Sequence, residues 1–312
     1  MDSFSDYLDL LSARSIVSGG LTAGGQWAIE FPASPRIKFW GVQRGSCWLL
    51  MEEMGAAVRV EEGDVFLQCE PRSHVLASDV SVRPVHFDEV LDGRTGGMLR
   101  HGEGDEFFMI GGKVELDANH GRLLLDVLPP LIHVSGKSSE ATTLNWLLNE
   151  LLRERENDLP GSETASTQMA HLMFIHVLRA YFATNQPGPA SWLRAVSDRR
   201  LAPALRLIHG EPARAWGVEE LAKASSMSRA GFAAYFSTVA GVAPITYLTH
   251  WRMLLAMRML RRTRMSLAEL ADSLGYASES SFSNAFKRVV GRSPRAYRDS
   301  GAEGQLAAMA TV

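Results

Sequence analysis

Between Trp27 and about Val134 the apolar residues come in short runs broken by glycine, proline and charged positions. Runs of that length and spacing predict strands over 27–31, 37–42, 46–51, 57–60, 65–69, 74–77, 82–87, 98–102, 107–110, 113–116 and 122–126. So many short strands predict a double-sheet barrel. Ahead of them, residues 1–16 read as an amphipathic helix on Phe4, Tyr7, Leu8 and Leu11. Behind them the period changes. Leu144, Leu147, Leu148, Leu151 and Leu152 mark one helix, which Leu159-Pro160-Gly161 ends. A second helix carries Met169, Leu172, Met173, Ile175, Val177 and Leu178 on more than one face, so it must be buried on several sides. The stretch 185–193 then breaks into a third, short helix.

From Trp216 to Arg298 one helical pattern occurs twice. Phe232, Phe236, Gly241, Pro244 and Tyr247 recur fifty positions later as Phe282, Phe286, Gly291, Pro294 and Tyr297. Val218, Leu221, Ala222 and Met227 answer to Leu267, Leu270, Ala271 and Tyr276 at a spacing of forty-nine. One extra residue near Gly275 accounts for the difference. A repeat of this kind marks a duplicated supersecondary unit, and each copy reads as a helix-turn-helix. Ser228, Ser266 and Ser278 stand where N-caps belong, and Gly241 and Gly291 stand where helices end. The inner stripes are Phe232, Phe236 and Val239 in one copy and Phe282, Phe286 and Val289 in the other. Residues 244–264 join the copies as one long helix, ending in Arg258, Arg261, Arg262 and Arg264.

The outward faces suggest what the hairpins do. The second recognition helix presents Glu279, Ser280, Ser283, Asn284, Lys287 and Arg288, which mix base-edge readers with phosphate binders. The first presents Arg229, Ala230, Ala233, Ala234 and Ser237. One strong donor among small groups can follow a backbone or touch thymine methyls, with little discrimination.

Residues 198–300 resemble the DNA-binding domain of the AraC/XylS family of bacterial transcription regulators. The stretches "WGVEELAKASSMSRAGFAAYFSTVAGVAPITYLTHWRM" and "MSLAELADSLGYASESSFSNAFKRVVGRSPRAYR" carry the resemblance. The chain departs from the family at Ala233, Ala234 and Asn284, where arginine is frequent. The segment "VEEGDVFLQCEPRSHVLAS" resembles the second half of a cupin. With "IVSGGLTAGGQWAIEFP", "GSCWLL" and "LPPLIHV", residues 4–134 resemble the cupin-type sensor domain of one AraC subgroup. The expected fold is therefore an α+β two-domain chain, with a cupin-like barrel, a helical linker and an all-α double helix-turn-helix. Its expected divisions are a sensor over 1–135, a linker and dimerisation region over 136–197, the DNA-binding domain over 198–300 and a frayed tail over 301–312. The two long helices either pack on the barrel or supply a dimer interface. The resemblance favours the interface in part, and Met169, Leu172, Met173, Phe174 and Ile175 offer more apolar surface than one helix can hide against a barrel.

Charge and composition agree with that division. Residues 198–300 hold 16 Lys+Arg against 8 Asp+Glu, and residues 1–197 hold 16 against 26. A basic end on an acidic body confines a polyanion to the C-terminal part. Two cysteines, Cys47 and Cys69, offer no disulfide framework and fit a reducing compartment. Asp2, Asp6 and Asp9 stand where a signal peptide would be basic, so a cytoplasmic location is expected. Enzymatic cupins bring a His-x-His motif, a Glu and a later His to a metal. His74 matches only the later one, while 45–49 reads Gly-Ser-Cys-Trp-Leu. His86, His101, His120 and His133 are scattered. No cofactor, metal or catalytic residue is assigned, and no enzyme is expected, although Cys47 or Cys69 could join His74 in an improvised site. The expected cavity wall is Trp40, Trp48, Phe66, Arg72 and His74, with Met51. The partners implied are operator DNA, an unidentified small-molecule effector, a second copy of the chain and RNA polymerase, with no membrane. Three other readings stay open: a constitutive regulator with a structural barrel, a cupin metalloenzyme fused to a DNA-binding domain, and an alkyl-transfer regulator. The last would need a zinc-bound cysteine cluster, which two barrel cysteines disfavour.

Overall fold

The computed structural model describes residues 2–51, 55, 57–91, 97–117, 121–157, 159–183 and 190–300; at 122, 123, 155 and 156 it describes the backbone alone. The expectations for 301–312, for 185–189 and for His120 lie outside the described residues. The chain divides into two compact units, Ser12–Gln186 and Met1–Leu11 with Pro187–Val312. Residues 136–186, read from the sequence as part of a linker, count with the barrel. Residues 1–11 count with the C-terminal unit.

The first helix, α1 (Ser3–Leu11), buries Tyr7, Leu10 and Leu11. Leu10 takes the inner position expected of Leu8. The helix stops short of residue 16 because Arg14 opens a strand, β1 (Arg14–Gly24), that the sequence reading missed. Its glycines and serines disguise it, since they are poor strand formers.

The barrel continues with β2 (Ala28–Phe31), β3 (Ile37–Arg44), β4 (Ser46–Met51), β5 (Val58–Glu61), β6 (Val65–Gln68) and β7 (His74–Ala77). There follow β8 (Val85–His86), α2 (Phe87–Leu91), β9 (Gly97–Gly102), β10 (Phe107–Glu115), α3 (Gly121–Leu125) and β11 (Leu131–Val134). Three expectations are corrected. The strand at 82–87 shrinks to two residues and gives way to α2. The strands at 107–110 and 113–116 are one, β10, running through Gly111 and Gly112. The segment 122–126, expected extended, is α3; a short apolar run does not by itself distinguish the helical period from the strand period.

A six-stranded sheet, ordered β11-β6-β3-β10-β1-β9, faces a five-stranded one, ordered β5-β4-β7-β2-β8. Between them lies a core that includes Leu21, Ile29, Phe31, Trp40, Val42, Leu49, Phe66, Leu76, Phe107 and Met109. The outer face of the six-stranded sheet is buried as well, because α4 (Ala141–Asn157) and α5 (Ser162–Ala183) lie on it. A methyl of Leu148 on α4 sits where a side chain at Gly41 of β3 would begin. Coverage on both faces explains why Val65, Phe66, Leu67 and Gln68 are all buried instead of alternating. The all-round apolar character of α5 is thus used within the unit: Met173, Phe174, Val177 and Leu178 are buried there. Met173 and Phe174, expected at an interface between copies, are therefore core residues.

The C-terminal unit adds α6 (Trp192–Ser197), α7 (Ala202–Gly210), α8 (Val218–Ala224), α9 (Arg229–Ala240), α10 (Pro244–Arg262), α11 (Leu267–Ser273) and α12 (Glu279–Val290). Residues 294–300 are helical too. Each expected cap is present. Ser228 accepts from Gly231 N at 3.2 Å, while Ser266 and Ser278 each close a reciprocal capping box with Glu269 and Ser281. Gly241 and Gly291 end α9 and α12 in the left-handed conformation, at φ 76° and 83°. Two cores result: one gathers α1 and α6 to α10, and the other gathers the end of α10 with α11 and α12. The repeat is visible in the aromatic packing. Phe232–Phe236 and Phe236–Tyr247 lie 5.6 and 5.5 Å apart, and Phe282–Phe286 and Phe286–Tyr297 lie 5.8 and 5.6 Å apart. Val289 departs from the expected stripe. It is 38% exposed, and Ala285 is buried beside Phe282 and Phe286 instead. No single described helix is long and apolar enough to cross a membrane.

Candidate nucleic-acid interface and barrel cavity

Helix α12 buries its phenylalanines and leaves Ser280, Asn284, Lys287 and Arg288 exposed, with Glu279 and Ser283 half-buried. Among the described residues Asn284 and Lys287 form no hydrogen bond or ion pair with protein, so their donors are free. Glu279 is less free: its carboxylate lies 3.7 Å from Arg295, and Ser280 shares a 3.0 Å hydroxyl contact with Ser278. Both sit at the helix N-terminus, next to backbone N–H groups that suit a phosphate.

On α9 Arg229, Ala230, Ala234 and Ser237 are exposed and Ala233 is half-buried. The face is small and carries one charge, as expected. Helix α10 holds both hairpins. Its Arg252 Nε donates to Pro212 O at 2.6 Å and Nη2 to Arg214 O at 2.9 Å, fixing the approach to α8. In the second copy Arg298 Nη2 donates to Met265 O at 2.7 Å, fixing the approach to α11. The sequence reading missed both arginines. Side chains spent on carbonyls look, in sequence, like any other surface cation.

Beneath α9 and α10 an aromatic cluster seats α1. Tyr7 stacks on Trp192 at 4.0 Å, and His209 stacks on Trp251 at 3.9 Å. His209 Nδ1 meets Asp6 Oδ2 at 3.1 Å, and Nε2 meets the Tyr247 hydroxyl at 3.0 Å. Burial holds the imidazole below its usual pKa, although Asp6 pulls the other way.

In the barrel unit a cavity of about 340 Å³ is lined by Phe31, Trp40, Phe87 and Leu99 on its apolar side, and by Arg36, Lys38 and Lys113. Of the five side chains proposed for a cavity wall, Trp40 alone lines it. His74 and Phe66 stand behind: His74 stacks on Phe31 at 5.0 Å, and Phe66 lies 6.5 Å from Trp40. Trp48 is on the opposite face of β4 from the core residues Cys47, Leu49 and Met51, under the Arg59 guanidinium at 5.4 Å. Arg72 is ion-paired to Glu70 in the turn before β7. Trp48 and Arg72 thus take no part in the cavity, and Met51 belongs to the core.

Burial pushes His74 down to about 3, with Lys38 adding to the shift, and both ring nitrogens lack a hydrogen-bond partner. Burial raises the Cys47 and Cys69 thiols far above their usual range. Among the described residues, no three His, Cys, Asp or Glu side chains converge as metal ligands would. Asp64 has a structural role: it accepts from Gly136 N at 2.7 Å and from Glu61 N at 3.0 Å, and it meets His133 Nε2 at 2.7 Å. A wider groove of about 800 Å³ carries the acidic residues Glu70, Glu115, Asp117 and Asp126 beside Arg36 in an otherwise mainly apolar lining.

Residues 2–183 match a family described as Cupin, and residues 221–300 match one described as a helix-turn-helix domain. A protein of Streptomyces lividans named as an AraC-like transcription regulator is 39% identical over 298 residues, covering 96% of this chain and 98% of that protein. The HTH-type transcriptional regulator AlkR of Acinetobacter baylyi is 28% identical over 306 residues, covering 96% and 99%. The crystal structure of the DNA-binding domain of AdpA with a target DNA is 32% identical, and the match covers 33% of this chain and 93% of that one, with a TM-score of 0.31.

Proposed function

Because the chain belongs to the AraC-like transcription regulators, and is a DNA-binding regulator with a cupin domain, we propose that its barrel senses a small molecule and thereby adjusts the hold of the paired hairpins on operator DNA. The exposed face of α12, where Asn284 and Lys287 have no protein partner among the described residues, most strongly supports the DNA-binding part of this reading. Asn284 can address an adenine edge, and Lys287 and Arg288 can address phosphates. On α9 Arg229 is the main polar contact, with Ala233, Ala234 and Ser237 close to the backbone.

The proposal extends to a homodimer, to contact with RNA polymerase, to a cytoplasmic place of work and to the absence of catalysis. A second copy doubles the operator covered and gains affinity through effective concentration. With Met173 and Phe174 in the core, Leu172 and Trp146 remain as the outward apolar side chains of α5 and α4, at 45% and 58% exposure. Ligand in the barrel changes DNA binding only if it favours one arrangement of the dimer over another.

The test is selection of bound sequences from a random duplex pool by the full chain. A conserved sequence enriched in the pool, and lost with Asn284→Ala, supports the reading. Enrichment of no sequence would overturn it.

A further inference from the structure

We propose that the cavity beside Trp40 binds a small organic monocarboxylate with a flat apolar body, its carboxylate held on Lys38. The proposal rests on the reading of the barrel as a small-molecule sensor and names the class of molecule.

The alternation of β3 carries the argument. Trp40 and Val42 face the barrel core, so Lys38, two residues before Trp40, points to the same inner side. Register places Lys113 of β10 directly opposite Lys38, and like charges opposed across a ladder repel. Glu115 relieves part of this repulsion, lying 3.0 Å from Lys113 and 3.6 Å from Arg36. No carboxylate among the described residues lies within ion-pair distance of Lys38. A half-buried ammonium without a counter-ion is costly, and burial lowers its pKa accordingly. A bound anion would remove that cost.

The apolar half of the cavity sets the body of the ligand. Trp40 is only 9% exposed, yet its indole N–H meets no acceptor. Behind it, His74 is neutral and also without partners. The surplus positive charge on the lining is answered by a carboxylate's lone pairs and not by an amine or hydrocarbon. Glu115 offsets one of the three cations Arg36, Lys38 and Lys113, so the lining keeps a positive excess, and its apolar walls favour a carboxylate on a carbon body over inorganic phosphate. Phe31, Phe87 and Trp40 offer aromatic surface for a flat body. At about 340 Å³ the cavity is at the small end of the ligand-binding range of roughly 300–1,000 Å³.

The experiment titrates the full chain with butyrate, benzoate, phenylacetate and indole-acetate, each beside its primary amide. Tryptophan fluorescence and the melting temperature of the barrel are followed. At least one acid should bind and raise the melting temperature, about tenfold more tightly than its amide. Lys38→Met should abolish that preference while raising the melting temperature of the unliganded protein, because it removes an uncompensated charge. Binding of no acid, equal binding of acid and amide, or an acid preference unchanged in Lys38→Met would each overturn the proposal. Binding to the sequences selected above separates the two claims. An acid that binds through Lys38 without changing DNA affinity supports this site and refutes sensing by it. A neutral ligand that changes DNA affinity while no acid binds does the reverse.

Discussion

Asn284 stands on the exposed side of α12 with its amide free, and Lys287 stands one turn further along. An amide that pairs bidentately with adenine loses specific affinity when removed, whereas a lysine on phosphate loses affinity everywhere. Asn284→Ala should therefore cost about 1–3 kcal/mol on the selected sequence and little on random DNA. Lys287→Ala should weaken both and lower the salt slope by about one. Equal losses on both DNAs for Asn284→Ala would contradict its role as a base reader. His74 makes a different prediction. Its pKa in the fold, about 3, is below the ordinary histidine value of 6.5. The unfolded chain therefore takes up the proton first, and stability is complete above the ordinary value and lost as the pH falls toward about 3. His74→Phe keeps the stack on Phe31, breaks no hydrogen bond and removes the titration. Acid titration of the barrel's melting temperature should show a shallower decline for the variant; an unchanged decline would assign the acid sensitivity to other groups. At this scale Asn284 and Arg229 were legible in the sequence because the repeat fixed which side of each helix is buried. Lys38 was not, because a lysine in a strand reads as a solvated position until its register with Trp40 is known.

Helix and turn chemistry explains the regularity of the hairpins, and two glycines test it. Gly275 and Gly291 share a left-handed backbone, at φ 75° and 83°. A Cβ on Gly291 would meet open space, whereas one on Gly275 would lie 1.9 Å from the Ala213 carbonyl oxygen. Gly291→Ala should then cost about 1–2 kcal/mol, the strain of the conformation alone. Gly275→Ala should cost clearly more, because backbone must move as well. Denaturant midpoints of the C-terminal unit check this; equal costs would mean that the Ala213 carbonyl yields freely. Caps, turns and aromatic spacing were all readable in advance, since each depends on residues a few positions apart. The strand β1 and the helix α3 were not. Serine and glycine hide the first, whose burial comes from α5 and the neighbouring strands, and a run of leucines fits either period.

For the whole molecule, the boundaries were harder to read than the elements. The pattern of α1 shows that it is amphipathic but not which core it joins, and Tyr7 finds its partners in Trp192 and Trp251, far away in sequence. The surplus apolar surface of α5 was correctly seen and partly misassigned, because the sheet's outer face takes up Met173 and Phe174. The dimer prediction changes accordingly. Light scattering should give a dimer for the wild type at micromolar concentration and a folded monomer for Leu172→Glu with Trp146→Glu. A wild type monomeric with and without DNA would refute the dimer, and a dimeric variant would move its interface elsewhere. The central claim is that α9 and α12, held by α10, enter successive major grooves, with α12 the more stringent reader. Hydroxyl-radical footprinting of the full chain on its selected sequence tests this directly. The account predicts two protected segments per chain about 34 Å apart on one face of the duplex, with sequence scrambling beneath α12 costing more affinity than scrambling beneath α9. A single protected segment, or greater stringency beneath α9, would contradict it.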